Sequence, residues 1–326
     1  MRRILLITAV IVLTIITNVS AASASTNWAI LISGGYDKEN NYARYWNDIS
    51  EMYETLVHKY NYKPENIFVL YADGNPPSTT NCRDPEHVDT SYPTNIIDYA
   101  ATISNLQTVV NYIAPHAQPE DTLFIFTTDH GTTSDGHSFL VLWNKEEIRD
   151  DDFATLIGQI REYSWRGIVM EQCYSGGFID DLSGPRTAIA TACRANEVSY
   201  GLTPPPYYDA FCYYFIAALK GETPDGTPVD ADFNNDGIIS FIEAFNYAQA
   251  NDPEPETPQY DDNGDDISHT GQMPSDNDGW LGSLLILGRP FSLIISPTQS
   301  SPASAGAYDN PSHIQVTVEV KEGNTP

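Results

Sequence analysis

Two short apolar runs in this chain each end in a side chain able to do chemistry. Asp121–Thr128 runs into Asp129, His130 and Gly131, and Gly167–Met170 runs into Glu171, Gln172, Cys173, Tyr174, Ser175, Gly176 and Gly177. A cysteine attacks as its thiolate, and a nearby imidazole is well suited to take the proton. Attack on a carbonyl places negative charge on oxygen, which backbone N–H groups can stabilise. Cys173 is therefore the candidate nucleophile, His130 the candidate base, and the Gly131 and Cys173 amides the candidate oxyanion donors. Each motif alone has an ordinary structural reading, the cysteine as a small buried hydrophobe and the histidine as a loop residue. Their conjunction, each at the end of an apolar run, points to covalent catalysis.

The flanking pattern indicates the elements that must position these groups. Short continuous apolar runs fit strands covered on both faces of a parallel sheet, and catalytic groups of open α/β sheets lie past the carboxyl ends of such strands. Trp28–Ser33, Asn66–Tyr71 and Ala188–Thr191 read as further strands. Arg44–Tyr60, Thr94–Ala114 and Asp152–Tyr163 carry apolar residues at helical spacing, a hairpin is expected at Ser138–Trp143, and another helix near Tyr207–Lys220. The alternation predicts an α/β protein with a mostly parallel sheet and helices on both faces. Ala72–Pro93 is a long loop rich in Pro, Asp and Asn.

Residues 1–24 open with Arg2-Arg3, continue through the apolar stretch Ile4–Ile16 and end in small residues, the pattern of a secretory signal peptide. The expectation is a secreted or cell-surface protein with no membrane span in the mature chain. Residues 25–220 form the catalytic unit, 221–288 an acidic region on or completing it, and 289–326 a Ser/Pro linker and tail. With 16 Lys+Arg against 44 Asp+Glu, the net charge of −28 argues against nucleic acid or anionic lipid as a partner. Besides Cys173, the chain has Cys82, Cys193 and Cys212, of which one pair at most can form; Cys193 with Cys212 is one option.

The acidic region contains a second motif. From Asp232 to Glu243 the residues match a twelve-residue calcium loop, with side-chain oxygens at Asp232, Asn234, Asp236, Ser240 and Glu243, and the Ile238 carbonyl between them. Gly237 stands where the sharp turn falls, and Ile239–Ala250 reads as the exiting helix. Pro224 and Pro228 speak against an entering helix, so the loop is similar to EF-hand-like calcium loops of exported proteins and dockerins. A structural calcium is expected. The second acidic run, Asp261–Asp266, lacks the glycine and terminal glutamate and reads as a solvated loop.

Thr128-Asp129-His130-Gly131 and Glu171-Gln172-Cys173-Tyr174-Ser175-Gly176 resemble the histidine and cysteine motifs of legumain-type asparaginyl endopeptidases, members of the caspase-like cysteine peptidases. Trp28–Leu31, Asn41–Arg44, Ala190–Ala192 and Glu197–Tyr200 extend the resemblance over roughly residues 28–215. It implies a caspase-like three-layer α/β/α sandwich and peptide-bond hydrolysis through a thioester acyl-enzyme, with no catalytic cofactor. It implies that Asn41 orients His130, and that Arg44, Glu171, Ser199 and Asp209 receive the side chain before the scissile bond. Two departures stand out. Ala43 interrupts the family's Asn-Tyr-Arg-His and Tyr45 replaces its histidine, and Gln172 replaces the alanine of Glu-Ala-Cys. Cleavage after Asn, or Asp, of a peptide or protein substrate is the resulting expectation. The alternatives are a transpeptidase using the same acyl-enzyme and a non-catalytic calcium-binding scaffold, which would leave Cys173 and His130 without a task.

Overall fold

The computed structural model describes residues 25–265 and 278–289, plus two short strand pieces further on. The signal-peptide segment, most of the tail and the end of the second acidic run lie outside the described residues. One six-stranded sheet organises the chain, in the order β2-β1-β3-β7-β8-β9. Its strands are β1 (Asn27–Ser33), β2 (Ile67–Tyr71), β3 (Thr122–Thr127), β7 (Trp165–Met170), β8 (Thr187–Thr191) and β9 (Gln259–Asp261). All pair in parallel except β9, which lies antiparallel to β8. Residues 259–261 of the acidic region thus extend the same sheet. Three other strands, β4 (Gly131–Ser134), β5 (His137–Val141) and β6 (Glu147–Arg149), form a separate antiparallel meander. Beyond the main body, β10 (Ile294–Ile295) and β11 (Val318–Glu319) pair antiparallel.

Alternation along each buried strand feeds two cores. Ala29, Leu31, Phe124, Phe126 and Val169 face a layer made by α1 (Ala43–His58), α5 (Ala210–Lys220) and α6 (Phe241–Asn251). Ile30, Ile32, Ile125, Ile168 and Met170 face α2 (Ile103–Ile113), α3 (Asp150–Ile157) and α4 (Ile179–Leu182). Side chains of successive strand residues point to opposite faces, so runs apolar at every position serve both layers. This is the caspase-like α/β/α sandwich.

Several boundaries differ from the sequence expectation. The helix expected from Thr94 starts at Ile103, because Thr102 caps it through Asn105 N–H at 3.3 Å while Tyr99 bridges to Leu70. α3 begins two residues early at Asp150, with three aspartates in its first turn, where they suit the helix dipole. The expected hairpin is a three-stranded meander. Cys193 and Cys212 are unpaired; all four thiols are free. Among the described residues no helix is long and apolar enough to cross a membrane.

Candidate active site

Two strand ends place the reactive pair. Thr127 of β3 is register-paired with Met170 of β7, so His130 and Cys173 each lie three residues beyond one rung of the sheet. Their backbones nearly touch: a Cβ on Gly131 would lie 2.0 Å from the Cys173 carbonyl oxygen, so the position admits no side chain. The tight turn after the cysteine is made by Tyr174, at φ 63°, rather than by Gly176 or Gly177.

Cys173 is partly buried. Its Sγ accepts the Ser199 N–H at 3.3 Å and donates weakly to the Ser199 carbonyl at 3.6 Å. Burial raises the thiol above the ordinary cysteine range, against the Ser199 and Gly131 amides, which favour the thiolate. Burial likewise lowers His130. The two groups therefore rest as neutral thiol and neutral imidazole, not as a preformed ion pair. His130 Nε2 is 3.0 Å from the Asn40 carbonyl. A carbonyl can only accept, so Nε2 carries the proton and Nδ1 is left as the basic nitrogen. Tyr42 and Tyr45 hold the ring edge-on, at centroid distances of 5.8 and 5.4 Å.

The expectation that Asn41 orients the histidine is corrected. Its side-chain amide donates to Tyr71 Oη at 3.1 Å and to the Asn81 carbonyl at 2.7 Å, pinning the long 72–93 loop beneath the site. The orienting contact comes from the main chain of its neighbour, Asn40. Asp129 supports the turn after β1: its buried carboxylate accepts the His130 N–H at 2.6 Å and the Gly35 N–H. Burial pushes it up to about 7 in spite of these bonds.

The four expected pocket residues come together beside the thiol. Arg44 Nε donates to Asp209 Oδ1 at 2.6 Å, and its guanidinium lies 4.2 Å from the centre of the Tyr42 ring and 4.7 Å from that of Tyr45. Burial alone would lower Arg44, but Asp209, together with Tyr45 and Asp48, outweighs it and raises the guanidinium. Glu171 accepts Ser199 Oγ at 2.5 Å and the Cys212 N–H at 2.7 Å. Beneath them lies Asp48, absent from the sequence-based set although it sits one helical turn from Arg44. Asp48 accepts Thr128 Oγ1 at 2.8 Å and the Asp209 N–H at 3.3 Å. Burial, then the neighbouring carboxyls, raises both Asp48 and Glu171. Burial thus favours the protonated form of both carboxyls, which lessens the repulsion between clustered carboxylates.

At the other end of the chain, the Asp232 carboxylate accepts the Asp236 N–H at 3.1 Å and the Gly237 N–H at 2.7 Å. Asn234 Oδ1 accepts Asp236 N–H at 2.8 Å, and Asp236 Oδ1 accepts Ile238 N–H at 2.9 Å. Gly237 takes φ 81°, open to glycine at little cost. Glu243 closes the loop, accepting from Asn234 N–H at 3.3 Å, Ser240 N–H at 2.9 Å and Ser240 Oγ at 2.7 Å, and so caps α6. No helix leads in; α5 ends at Lys220. The set is all oxygen with three carboxylates, the chemistry a hard divalent cation takes. Elsewhere, His137, Asp150 and Asp151 lie close enough to share an ion, but Asp151 is already clasped by Arg149 at 2.5 and 2.6 Å.

A half-buried thiol, an imidazole with a basic Nδ1 and an ion-paired pocket at one sheet edge define the class: a cysteine-nucleophile site of caspase-like architecture. The chain belongs to the peptidase C13 family, whose profile matches residues 27–226. It is 29% identical over 221 residues to a vacuolar-processing enzyme beta-isozyme of Oryza sativa, covering 58% of this chain and 43% of that protein. Legumain of Canavalia ensiformis is 27% identical over 212 residues, 56% of this chain and 42% of that protein. Metacaspase-7 of Arabidopsis thaliana is 28% identical over 145 residues, covering 41% and 31% respectively. The chain spans less than half the length of these relatives.

Proposed function

We propose that the chain is an exported cysteine endopeptidase of legumain type that cuts after Asn, and more weakly after Asp. The observation that carries the reading is the shared register of β3 and β7, which puts His130 and Cys173 at one level with Gly131 pressed against the Cys173 backbone. As the sulfur attacks the substrate carbonyl, His130 Nδ1 takes the thiol proton, and the new C–S bond leaves an oxyanion facing the Gly131 and Cys173 amides. Collapse breaks the C–N bond, and His130 returns its proton to the departing amine. Water, deprotonated by the same nitrogen, then hydrolyses the thioester and regenerates the thiol.

In the pocket, the Arg44 guanidinium is a donor and the Asp209 carboxylate an acceptor, the two functions an amide side chain needs. Both are present as one ion pair at 2.6 Å. A structural calcium bound by Asp232, Asn234, Asp236, Ile238, Ser240 and Glu243 completes the proposal. It is supported by the all-oxygen donor set, and export by the character of residues 1–24. Digestion of a mixed peptide library tests the specificity. Cuts after Asn should dominate; a dominant preference for Lys, Arg or apolar residues would refute the pocket assignment. Adding an amine nucleophile separates hydrolysis from transpeptidation by the product formed.

A further inference from the structure

The segment between α6 and β9 crosses the active-site edge. Glu256 Oε2 accepts the Tyr200 N–H at 2.9 Å, and the preceding residue, Ser199, sets its own backbone N–H on the Cys173 sulfur at 3.3 Å. One residue on, Thr257 donates through N–H and Oγ1 to the Glu197 carboxylate at 3.1 and 3.2 Å, and the Glu197 carbonyl accepts the Tyr174 N–H at 2.8 Å. Behind Glu256 stands Asp252, at the end of α6. Glu256 Oε1 and Asp252 Oδ2 are each buried without a hydrogen-bond donor, and burial first, then the neighbouring carboxyls of Glu171 and Asp252, raises Glu256. Two neighbouring carboxyls are satisfied when one proton is shared between them.

We propose that Glu256 is a positioning residue for substrate binding, holding the Ser199–Tyr200 main chain against the catalytic thiol and tying it through Asp252 to the helix capped by the oxygen-rich loop. The inference rests on the peptidase reading of Cys173 and the pocket, and it assigns a task to a residue beyond the family-matched stretch. Glu256 touches neither the thiol nor the imidazole. Its effect passes through the Tyr200 amide, while the Ser199 hydroxyl is held by Glu171.

The test compares Glu256→Ala and Glu256→Gln in the full chain by steady-state peptide cleavage and by hydrogen exchange of the Tyr200 amide. Glu256→Ala should raise KM about tenfold, equal to about 1.4 kcal/mol, with kcat within about twofold. Exchange of the Tyr200 amide should accelerate about tenfold. Glutamine offers a carbonyl to Tyr200 and an N–H to Asp252, as the protonated acid does, so Glu256→Gln should restore both readouts. Unchanged KM and exchange in Glu256→Ala would overturn the proposal, as would a Gln variant no better than Ala. If the wild type cleaves no peptide, the proposed function fails, while the exchange comparison still decides whether Glu256 holds Tyr200.

Discussion

Cys173 should alkylate as an ordinary thiol, not as a preformed thiolate. The perturbation is pH, and the probe is iodoacetamide under pseudo-first-order conditions. Burial raises the thiol, and burial lowers the imidazole that would otherwise supply a neighbouring cation. A cysteine titrating at or above about 8.5 is about 3% thiolate or less at pH 7, and its alkylation rate climbs nearly tenfold per pH unit below the midpoint. A cysteine ion-paired with imidazolium, titrating near 4, would react at a rate almost independent of pH from about 5 to 8. Between pH 6 and 8 the structure therefore predicts a rise of nearly a hundredfold where an ion pair predicts almost none. Cys82, Cys193 and Cys212 are buried, and Cys173→Ala supplies the background. A plateau in rate below pH 7 would refute the neutral resting state, and with it the view that His130 takes the proton during attack.

Gly131→Ala should abolish cleavage and destabilise the fold by about 1–3 kcal/mol, since the new Cβ would lie 2.0 Å from the Cys173 carbonyl; near-wild-type kcat/KM and urea midpoint would contradict the close approach. Asp48 titrates above its unfolded value, so the folded chain keeps a proton the unfolded chain gives up, and wild-type stability falls as pH rises above about 4. Asp48→Asn removes this residue's share of that dependence, so the drop in melting temperature between pH 5 and 8 should shrink by about 3 °C; parallel melting curves for the two proteins would count against it. Calcium should raise the melting temperature of the wild type and leave Asp232→Ala unmoved, as read by thermal melts with calcium or chelator. An equal rise in both would remove Asp232 from the site.

Much of the site was legible because it is local. Strand ends deliver their next residues to one edge, so His130, Cys173 and Gly131 could be read from two apolar runs and the residues just past them. Arg44, Glu171, Ser199 and Asp209 were named from motif resemblance, and the structure sets Arg44 on Asp209 and Ser199 on Glu171 and the Cys173 sulfur. The group that orients the histidine was not legible, because the Asn40 contact is a main-chain carbonyl, which every residue owns and no residue type announces. Asn41 is invested instead in holding the 72–93 loop. Asp48 did leave a signal, a carboxylate four residues after Arg44 on one helix face, whereas Glu256 left none: its partner Tyr200 is far off in sequence and meets it through tertiary packing. The missing β9 has the same origin. Three residues of a Pro- and Asp-rich stretch show no periodicity, and their strand character comes wholly from the exposed edge of β8.

Whether the Cys173 thiol cleaves peptides with His130 as its base can be decided in one comparison. A quenched peptide containing a single Asn is offered to the wild type, Cys173→Ala and His130→Ala, and the wild type is also analysed by mass spectrometry after a peptidyl electrophile ending in Asn. Cleavage after Asn by the wild type, background rates for both variants and a single adduct on Cys173 are expected. Equal turnover by Cys173→Ala, or a Cys173 left unmodified by the electrophile, would overturn the thiol mechanism.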